Sequence, residues 1–232
     1  MQYRKTIGIL GGMGPAATVN LFDKIVKVAD VANDQDHPRI IIVNNPKIPD
    51  RTTAILRNGA DPLPMMVESA RLLAMAHVDF IVIPCVTAHF FHAKLQEQIS
   101  TPILHVVKET VKHAVTRYPG IGKIGLLATS GTIQAGLFNE ACAAANVELI
   151  TPDENIQTSN VMKAIYCVKA DGPSPASKAL ISGAAETLIR RGAQAIIAGC
   201  TEIPLVLTDG ELSVPVIDPL ALLALRAVEE AR

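Results

Sequence analysis

Two apolar runs in this chain end in the same way, at a cysteine. FIVIPC ends at Cys85 and AIIAGC ends at Cys200. Each run lies at a nearly equal distance beyond a similar opening, IGIL from Ile7 and IGLL from Ile124, and each opening leads into a loop of glycine and threonine. These matches predict a duplicated α/β unit in which each half places one thiol at the end of a strand.

The remaining apolar runs alternate with helical patterns along the whole chain. Continuous apolar runs indicate strands that are covered on both faces, as in parallel sheets. We therefore predict two similar Rossmann-like domains, each with a parallel four-stranded sheet flanked by helices. A Pro- and Gly-containing segment at 116–123 marks the boundary, which predicts one domain of residues 1–117 plus 216–232 and a second of 118–215. The predicted strands are TIGIL, RIIIVN, DFIVIP, KIGLLA, AIIAG and PVID, and the predicted helices cover roughly 15–30, 64–77, 88–98, 106–117, 132–145, 155–169, 175–191 and 219–231.

Composition excludes several classes of function. The formal net charge is −1, and the chain has no Trp, 3 Tyr and 5 Phe, so it lacks the basic and aromatic surface that nucleic acids require. No apolar run approaches the roughly 18 residues of a membrane span, and the N-terminus lacks the pattern of a signal peptide. We therefore expect a cytoplasmic protein with no nucleic-acid or membrane partner.

The chain has 4 cysteines, and none stands at a spacing typical of a zinc site. We expect free thiols and no metal. Cys142 and Cys167 are interpreted as ordinary packing residues, whereas the position of Cys85 and Cys200 at strand ends sets those two apart.

A glycine loop follows the first strand, where residues 12–17 read GMGPAA. This pattern resembles a dinucleotide fingerprint, but the next strand ends in Asn44 and Asn45, without the acidic residue that holds a ribose. We therefore predict no nicotinamide cofactor, and we interpret the loop, which includes Met13, as a turn whose N–H groups face a small anion such as a carboxylate.

Together these segments resemble the aspartate/glutamate racemase family, in the aspartate racemase branch that works without pyridoxal phosphate. The resemblance spans nearly the whole chain, and its two cysteine motifs are its specific part. The segments occur in family order: IGILGGMGPAAT at 7–18, NNPKIPDRT at 44–52, PCVTAH at 84–89, GLLATSGT at 125–132, AIYCVKADG at 164–172 and GCTEIP at 199–204.

The resemblance implies an active site between two α/β domains, a homodimer, no cofactor and a small amino-acid substrate with two carboxylates. It implies that Cys85 and Cys200 are catalytic and that Arg51 and Lys169 hold the substrate's carboxylates. Without it, Arg51 could equally lie in a solvated turn, and Lys169 could merely complement a helix dipole. The other expected substrate-binding residues are Met13, Val86, Thr87, Thr129, Ser130, Thr132, Thr201 and Glu202.

One position departs from the family pattern. The family's first motif is usually Pro-Cys-Asn-Thr-Ala-His, and Val86 replaces its Asn here. A valine side chain cannot form the hydrogen bonds of an amide, so we expect either a rebuilt substrate pocket or a changed substrate preference.

Two thiols suit racemisation, because one can remove a proton from one face of Cα while the other returns a proton to the opposite face. A thiolate acts as the base, and a helix N-terminus would lower its pKa. Backbone N–H groups near Gly14, near Ser130–Thr132 and after Cys200 are the expected donors to the charge that develops on the carboxylate.

Three alternatives stay open at this point. His89 lies four residues beyond Cys85 and could form a Cys–His hydrolase pair, although a packing or capping role is favoured. A hydantoin racemase or a maleate isomerase would use the same two thiols, whereas a decarboxylase would need only one. A protein that binds a dicarboxylate without chemistry would use Arg51, Lys169 and the glycine loop.

Overall fold

The computed structural model describes residues 3–232 and groups them into two compact units. One unit ends at Glu109 and resumes with Leu220–Arg232, and the other covers Thr110–Pro219. Each unit contains one parallel sheet with helices around it, so the predicted α/β class is confirmed. The predicted domain boundaries after residues 117 and 215 remain a prediction.

The first sheet has the strand order β2-β1-β3, with β1 in the centre and parallel to both neighbours. The elements in this part of the chain are β1 (Ile7–Gly11), α1 (Pro15–Val28), β2 (Ile40–Asn44), α2 (Arg51–Arg57), α3 (Leu63–Met75), β3 (Phe80–Val82), α4 (His92–Gln96) and α5 (Val106–Arg117). Short 3₁₀ turns occur at Asp34–Asp36 and Thr87–Phe91.

The fourth position of this sheet, predicted as a strand, holds a single bridging residue. Ile103 bridges Ile81, whose N–H donates to Pro102 O at 2.8 Å and whose carbonyl accepts from Leu104 N at 2.9 Å. Pro102 has no N–H, so it cannot extend the ladder, and the sheet has three full strands.

The second sheet has four strands in the order β5-β4-β6-β7, all parallel. In both units the first strand is central and is flanked by the second and third, which is the topology expected of a duplication. The elements of this unit are β4 (Lys123–Leu127), α6 (Ser130–Gln134), α7 (Asn139–Ala144), β5 (Glu148–Ile150), α8 (Glu154–Ile156), α9 (Lys163–Asp171), α10 (Pro175–Arg190), β6 (Ala195–Ala198) and β7 (Val216–Ile217). The chain ends with α11 (Pro219–Ala231), which belongs to the first unit apart from its first residue.

Several predicted helices differ in detail. The predicted helix 132–145 is divided into α6 and α7, because Gly136 has a φ of 63° and interrupts the helical backbone. The predicted helix 155–169 is continuous, but residues Gln157–Met162 between α8 and α9 form a π-helical turn. Strand β5 and helix α2 were not predicted, because both are short and only partly buried.

The C-terminal helix α11 packs in the first unit. Ala231 O accepts hydrogen bonds from Arg4 N at 2.9 Å and Lys5 N at 3.1 Å. Arg226 Nε lies 3.0 Å from Glu109 Oε2. These contacts tie the end of the chain to the first strand and to α5. Within residues 3–232, no helix has the length and hydropathy needed to cross a membrane.

Candidate active site

In the first unit, the ends of β1 and β3 bring the glycine loop and Cys85 to one edge of the sheet. The two strands are adjacent and parallel, so the loops after them leave the sheet on the same side. Met13, Ile48 and Cys85 belong to one apolar cluster under these loops. Three segments that are distant in sequence therefore meet here.

The glycine loop is shaped by close backbone contact. Gly12 has a φ of 94°, and a Cβ on it would lie 2.3 Å from the carbonyl carbon of Asn45. Gly12 N donates to Thr18 Oγ1 at 2.9 Å, so this N–H is occupied within the protein. The glycine allows two loops to pass each other, and the loop needs no nucleotide to explain it.

Arg51 is the first residue of α2 and is buried, with 9% of its surface exposed. Its Nη1 donates to Ile48 O at 3.2 Å and to Pro49 O at 2.9 Å, and its Nη2 donates to Met13 O at 3.1 Å. The alternative that Arg51 lies in a solvated turn is therefore wrong. Asp50 instead caps α2 by accepting from Thr53 N at 2.7 Å.

The guanidinium of Arg51 still has donors to offer. Nε is buried and has no hydrogen-bond partner among residues 3–232, and Nη2 carries a second N–H. Nε and Nη2 form the side edge of the guanidinium, which is the edge that grips a carboxylate with two parallel bonds. The carbonyl contacts of Nη1 fix the orientation of that edge.

Cys85 follows β3 and is buried, with 9% of its surface exposed. Its neighbours Val86 and Thr87 are also buried. The expected helix after this cysteine begins as a 3₁₀ turn, Thr87–Phe91, and continues as the short helix α4. Helix α2 packs against this turn, which brings the helix of Arg51 close to Cys85.

His89 contacts the backbone of Cys85 and makes no hydrogen bond to its thiol among the described residues. Its Nδ1 lies 3.0 Å from Cys85 O, and its Nε2 accepts from Val106 N at 3.3 Å. An acceptor at Nε2 requires the proton to be on Nδ1, so the ring is neutral and donates to Cys85 O. This arrangement supports a structural role for His89 and does not support the Cys–His hydrolase alternative.

Burial keeps that ring neutral. Desolvation, followed by the charges of His105 and His92, lowers the pKa of His89 from 6.5 to about 3. Burial and nearby His92 and Lys108 lower the pKa of His105 to about 4. The three rings lie close together, with His92 and His105 centroids 4.6 Å apart. Among residues 3–232 no group of His, Cys, Asp and Glu side chains is arranged to hold a metal ion.

In the second unit, β4 and β6 are adjacent and parallel, so the loops after them also leave the sheet on the same side. Cys200 therefore lies close to the loop that starts at Ala128. Gly199 N donates to Leu127 O at 2.7 Å, and a Cβ on Gly199 would lie 3.0 Å from that of Ala128. The glycine therefore lets the two strand ends approach closely, and Cys200 follows it directly.

The loop after β4 uses its own polar groups. Thr129 caps α6 through its Oγ1, which accepts from Thr132 N at 3.2 Å and lies 3.0 Å from Thr132 Oγ1. Ser130 N donates to Met162 Sδ at 3.3 Å. The expectation that the N–H groups of Ser130 and Thr132 donate to the substrate is therefore wrong, because the cap takes the N–H of Thr132 and Met162 takes that of Ser130.

Cys200 is buried and donates its thiol hydrogen to Glu202 Oε2 at 2.8 Å. The same oxygen accepts from Thr201 Oγ1 at 3.2 Å. Burial, then the negative charge of Glu202, raises the pKa of Cys200 well above its ordinary value, and Lys169 opposes this shift. Lys169, in the last turn of α9, thus lies within electrostatic reach of the thiol.

The other two cysteines have different surroundings. Cys142 is buried in α7, and burial raises its pKa to about 11, which keeps it an unreactive thiol. Cys167 is exposed on α9. Neither follows a strand. Cys142 agrees with its interpretation as a packing residue, whereas that interpretation is wrong for Cys167, because its side chain lies on the exposed face of α9.

One residue near the site was not predicted. Gln157 is buried, and its Nε2 donates to Ala128 O at 2.9 Å and to Ser130 Oγ at 3.2 Å. The sequence does carry a signal for it. Gln157 stands in helical register with Val161, Ala164 and Val168, so it is an amide on an otherwise apolar buried face.

Comparison with known proteins gives one consistent result. Residues 10–227 match the family model described as Asp/Glu/Hydantoin racemase. The chain is 32% identical over 224 residues to the broad specificity amino-acid racemase RacX of Bacillus subtilis, covering 94% of each protein. It resembles the solved structure of Picrophilus torridus aspartate racemase with a TM-score of 0.86 and 29% identity, covering 98% of this chain and 94% of that one. Glutamate racemase from Francisella tularensis shares the fold at a TM-score of 0.69 and 18% identity, covering 96% of this chain and 79% of that one.

Proposed function

Because this chain belongs to the Asp/Glu/hydantoin racemase family, we propose that this isomerase racemises an acidic α-amino acid, aspartate or glutamate, by proton transfer at Cα. The proton carriers in this proposal are Cys85 and Cys200. The observation that supports it most is their equivalence, since each is buried and lies within three residues of the end of the third strand of its repeat. Racemisation needs one proton carrier on each face of Cα, and the duplicated fold supplies two.

The two thiols differ in their neighbours, and this difference supports different resting roles for them. The residue two positions after Cys200 is Glu202, whose carboxylate accepts the thiol hydrogen. The residue two positions after Cys85 is Thr87, which carries no charge. A thiolate at Cys200 would lie beside a carboxylate, so Cys200 holds its proton and acts as the acid. Cys85 is then the base.

In the proposed step, the Cα–H bond breaks and its proton bonds to the sulfur of Cys85. The electron pair spreads from Cα into the α-carboxylate, and the S–H bond of Cys200 breaks as a new Cα–H bond forms on the opposite face. To restore the resting form, Cys85 loses one proton to solvent and Cys200 gains one from solvent. Glu202 Oε2, 2.8 Å from Cys200 Sγ, is positioned to relay that proton.

The acidic substrate follows from the two basic residues. Arg51 is held by backbone carbonyls, and its Nε–Nη2 edge keeps donors for a carboxylate. Lys169 carries a positive charge close to Cys200. A substrate with two carboxylates would use both residues. A carbanion next to a carboxylate is stabilised by such fixed positive charge.

A broader substrate range is the second candidate, and one residue favours it. Val86 places a buried apolar side chain next to Cys85, where an amide would favour a polar substrate. The relative RacX, at 32% identity, has broad specificity by its name. Neutral amino acids would then be accepted beside aspartate and glutamate.

Incubation with a panel of single enantiomers in D₂O tests both candidates. The proposal predicts loss of optical activity together with incorporation of deuterium at Cα, read by chiral chromatography and mass spectrometry. Replacing Cys85 or Cys200 with Ala should lower kcat by about 10²–10⁴-fold or more, since each removes one acid–base group. Cys142→Ala serves as the matched control and should retain activity. Unchanged racemisation in Cys85→Ala would exclude the two-thiol mechanism.

We also propose that the protein is a homodimer and that α1 lies at its interface. Val19, Phe22 and Val26 are 68%, 42% and 38% exposed, at helical spacing on one face of α1. The edge strand β2 exposes Ile42 as well. An exposed apolar stripe and an open sheet edge are surfaces of the kind that a second copy covers.

A further inference from the structure

The helix that runs from Glu154 to Asp171 contains a π-helical turn at Gln157–Met162. In a π-helix the hydrogen bonds join residues five apart, so residues five apart are stacked on one side. In an α-helix residues four apart are stacked instead. The π turn therefore places Gln157 and Met162 on the same side of the helix.

That side contacts the loop between β4 and α6. Gln157 Nε2 donates to Ala128 O at 2.9 Å and to Ser130 Oγ at 3.2 Å, while Met162 Sδ accepts from Ser130 N at 3.3 Å. Ser130 is thus held at its backbone and at its hydroxyl by two residues of one π turn. Such turns occur often at functional sites.

The amide of Gln157 has one polar atom that packing does not explain. Its Oε1 is buried and has no hydrogen-bond partner among residues 3–232. The orientation of the amide is set by Ala128 O, which can only accept, so Nε2 must face it. A buried acceptor without a donor is unfavourable, because it has lost its hydrogen bonds to water and gained none in return. An apolar side chain would avoid this cost, so the amide has a use beyond filling space.

The hydrogen bond to Ser130 has a direct chemical consequence. Because Ser130 Oγ accepts from Gln157, the hydroxyl hydrogen of Ser130 is directed to another acceptor. Ser130 is only partly buried, so an acceptor brought by a ligand can reach it. We propose that Gln157 is a positioning residue that makes Ser130 a hydrogen-bond donor to a substrate carboxylate. This inference rests on the proposed racemase function.

A double-mutant cycle tests the proposal. Gln157→Met keeps the length of the side chain and removes both polar atoms. It should raise KM for aspartate by about 3–10-fold with a smaller change in kcat, which corresponds to the loss of one hydrogen bond. In a Ser130→Ala background the same change should leave KM unaltered, because the hydroxyl that it orients is gone. Thr158→Ala, exposed on the same π turn, should have no effect.

If the effects of Gln157→Met and Ser130→Ala on KM are fully additive, the proposal is overturned, because additive effects are expected when Gln157 has only a structural role. If Gln157→Met fails to fold, Gln157→Glu replaces it, because it keeps the shape and removes the donor. Hydrogen exchange of residues 128–134 needs no turnover and should become faster in either variant. Unchanged exchange would count against Gln157, whereas absence of racemisation in the unmodified protein would count against the proposed function.

Discussion

The buried histidine beside Cys85 makes the stability of the fold depend on pH in a way that can be calculated. His89 is 3% exposed, and its pKa is lowered from 6.5 to about 3. Below pH 6.5 the unfolded chain binds a proton at this ring that the folded protein does not bind. The contribution of the neutral His89 ring to the unfolding free energy is therefore fully present above about pH 6.5. It is lost progressively as the pH falls toward about 3.

The size of the loss follows from the difference between the two pKa values. Each pH unit between them is worth about 1.4 kcal/mol, so between about pH 8 and pH 4.5 His89 alone should cost about 2–3 kcal/mol of unfolding free energy. Urea unfolding followed by circular dichroism at both pH values measures it. His89→Gln removes the titrating group. The unfolding free energy of this variant should therefore fall less between these two pH values than that of the unmodified protein, by about the amount given for His89.

The matched control is His77→Asn, because His77 is exposed and Asn tolerates its positive φ of 57°. This variant should lose as much stability on acidification as the unmodified protein. An equal loss in His89→Gln would refute the argument, since it would mean that the buried ring takes its proton in the folded state.

Three further predictions concern the thiols, the substrate pocket and the dimer. Glu202→Gln removes the carboxylate beside Cys200, so the pKa of Cys200 should fall and its alkylation by iodoacetamide near neutral pH should be faster; an unchanged rate would show that Glu202 does not set the proton on this thiol. Val86→Asn should raise kcat/KM for aspartate relative to a neutral amino acid, and an unaltered ratio would remove Val86 from the explanation of specificity. Phe22→Lys should convert the proposed dimer to a monomer in light scattering while Met75→Lys, on α3, should not, and a dimer that persists in Phe22→Lys would contradict the proposed interface.

Much of the fold could be predicted because buried parallel strands have a strong local signal. The runs that end at Cys85 and Cys200 are apolar at nearly every position, and both are strands in the structure. Strand β5 has three residues, of which only one is buried. Such a short segment has no continuous apolar run that would distinguish it from a loop in the sequence. The single-residue bridge at Ile103 depends on Pro102 and on pairing with Ile81 of the neighbouring strand. A local sequence pattern cannot predict such pairing between distant segments.

The site could be predicted less completely, because hydrogen bonds between distant segments decide what each polar group is free to do. The family resemblance predicts that Arg51 binds a carboxylate, but only the structure shows that part of its guanidinium is bound to Met13 O. In the same way, Ser130 N is taken by Met162, which lies 32 positions away in sequence. The sequence singles out Gln157 only as an amide on an apolar helix face. Its contacts with Ala128 and Ser130 involve a π turn, and a π turn has no sequence pattern of its own.

The central claim is that two sulfur atoms address one Cα from opposite faces. An experimental structure of the protein with aspartate bound tests this most directly. The account predicts that Cα lies between Cys85 Sγ and Cys200 Sγ, at roughly 3–4 Å from each, with the α-carboxylate or side-chain carboxylate on Arg51. Aspartate bound with either sulfur remote from Cα, or with both on the same face, would contradict it.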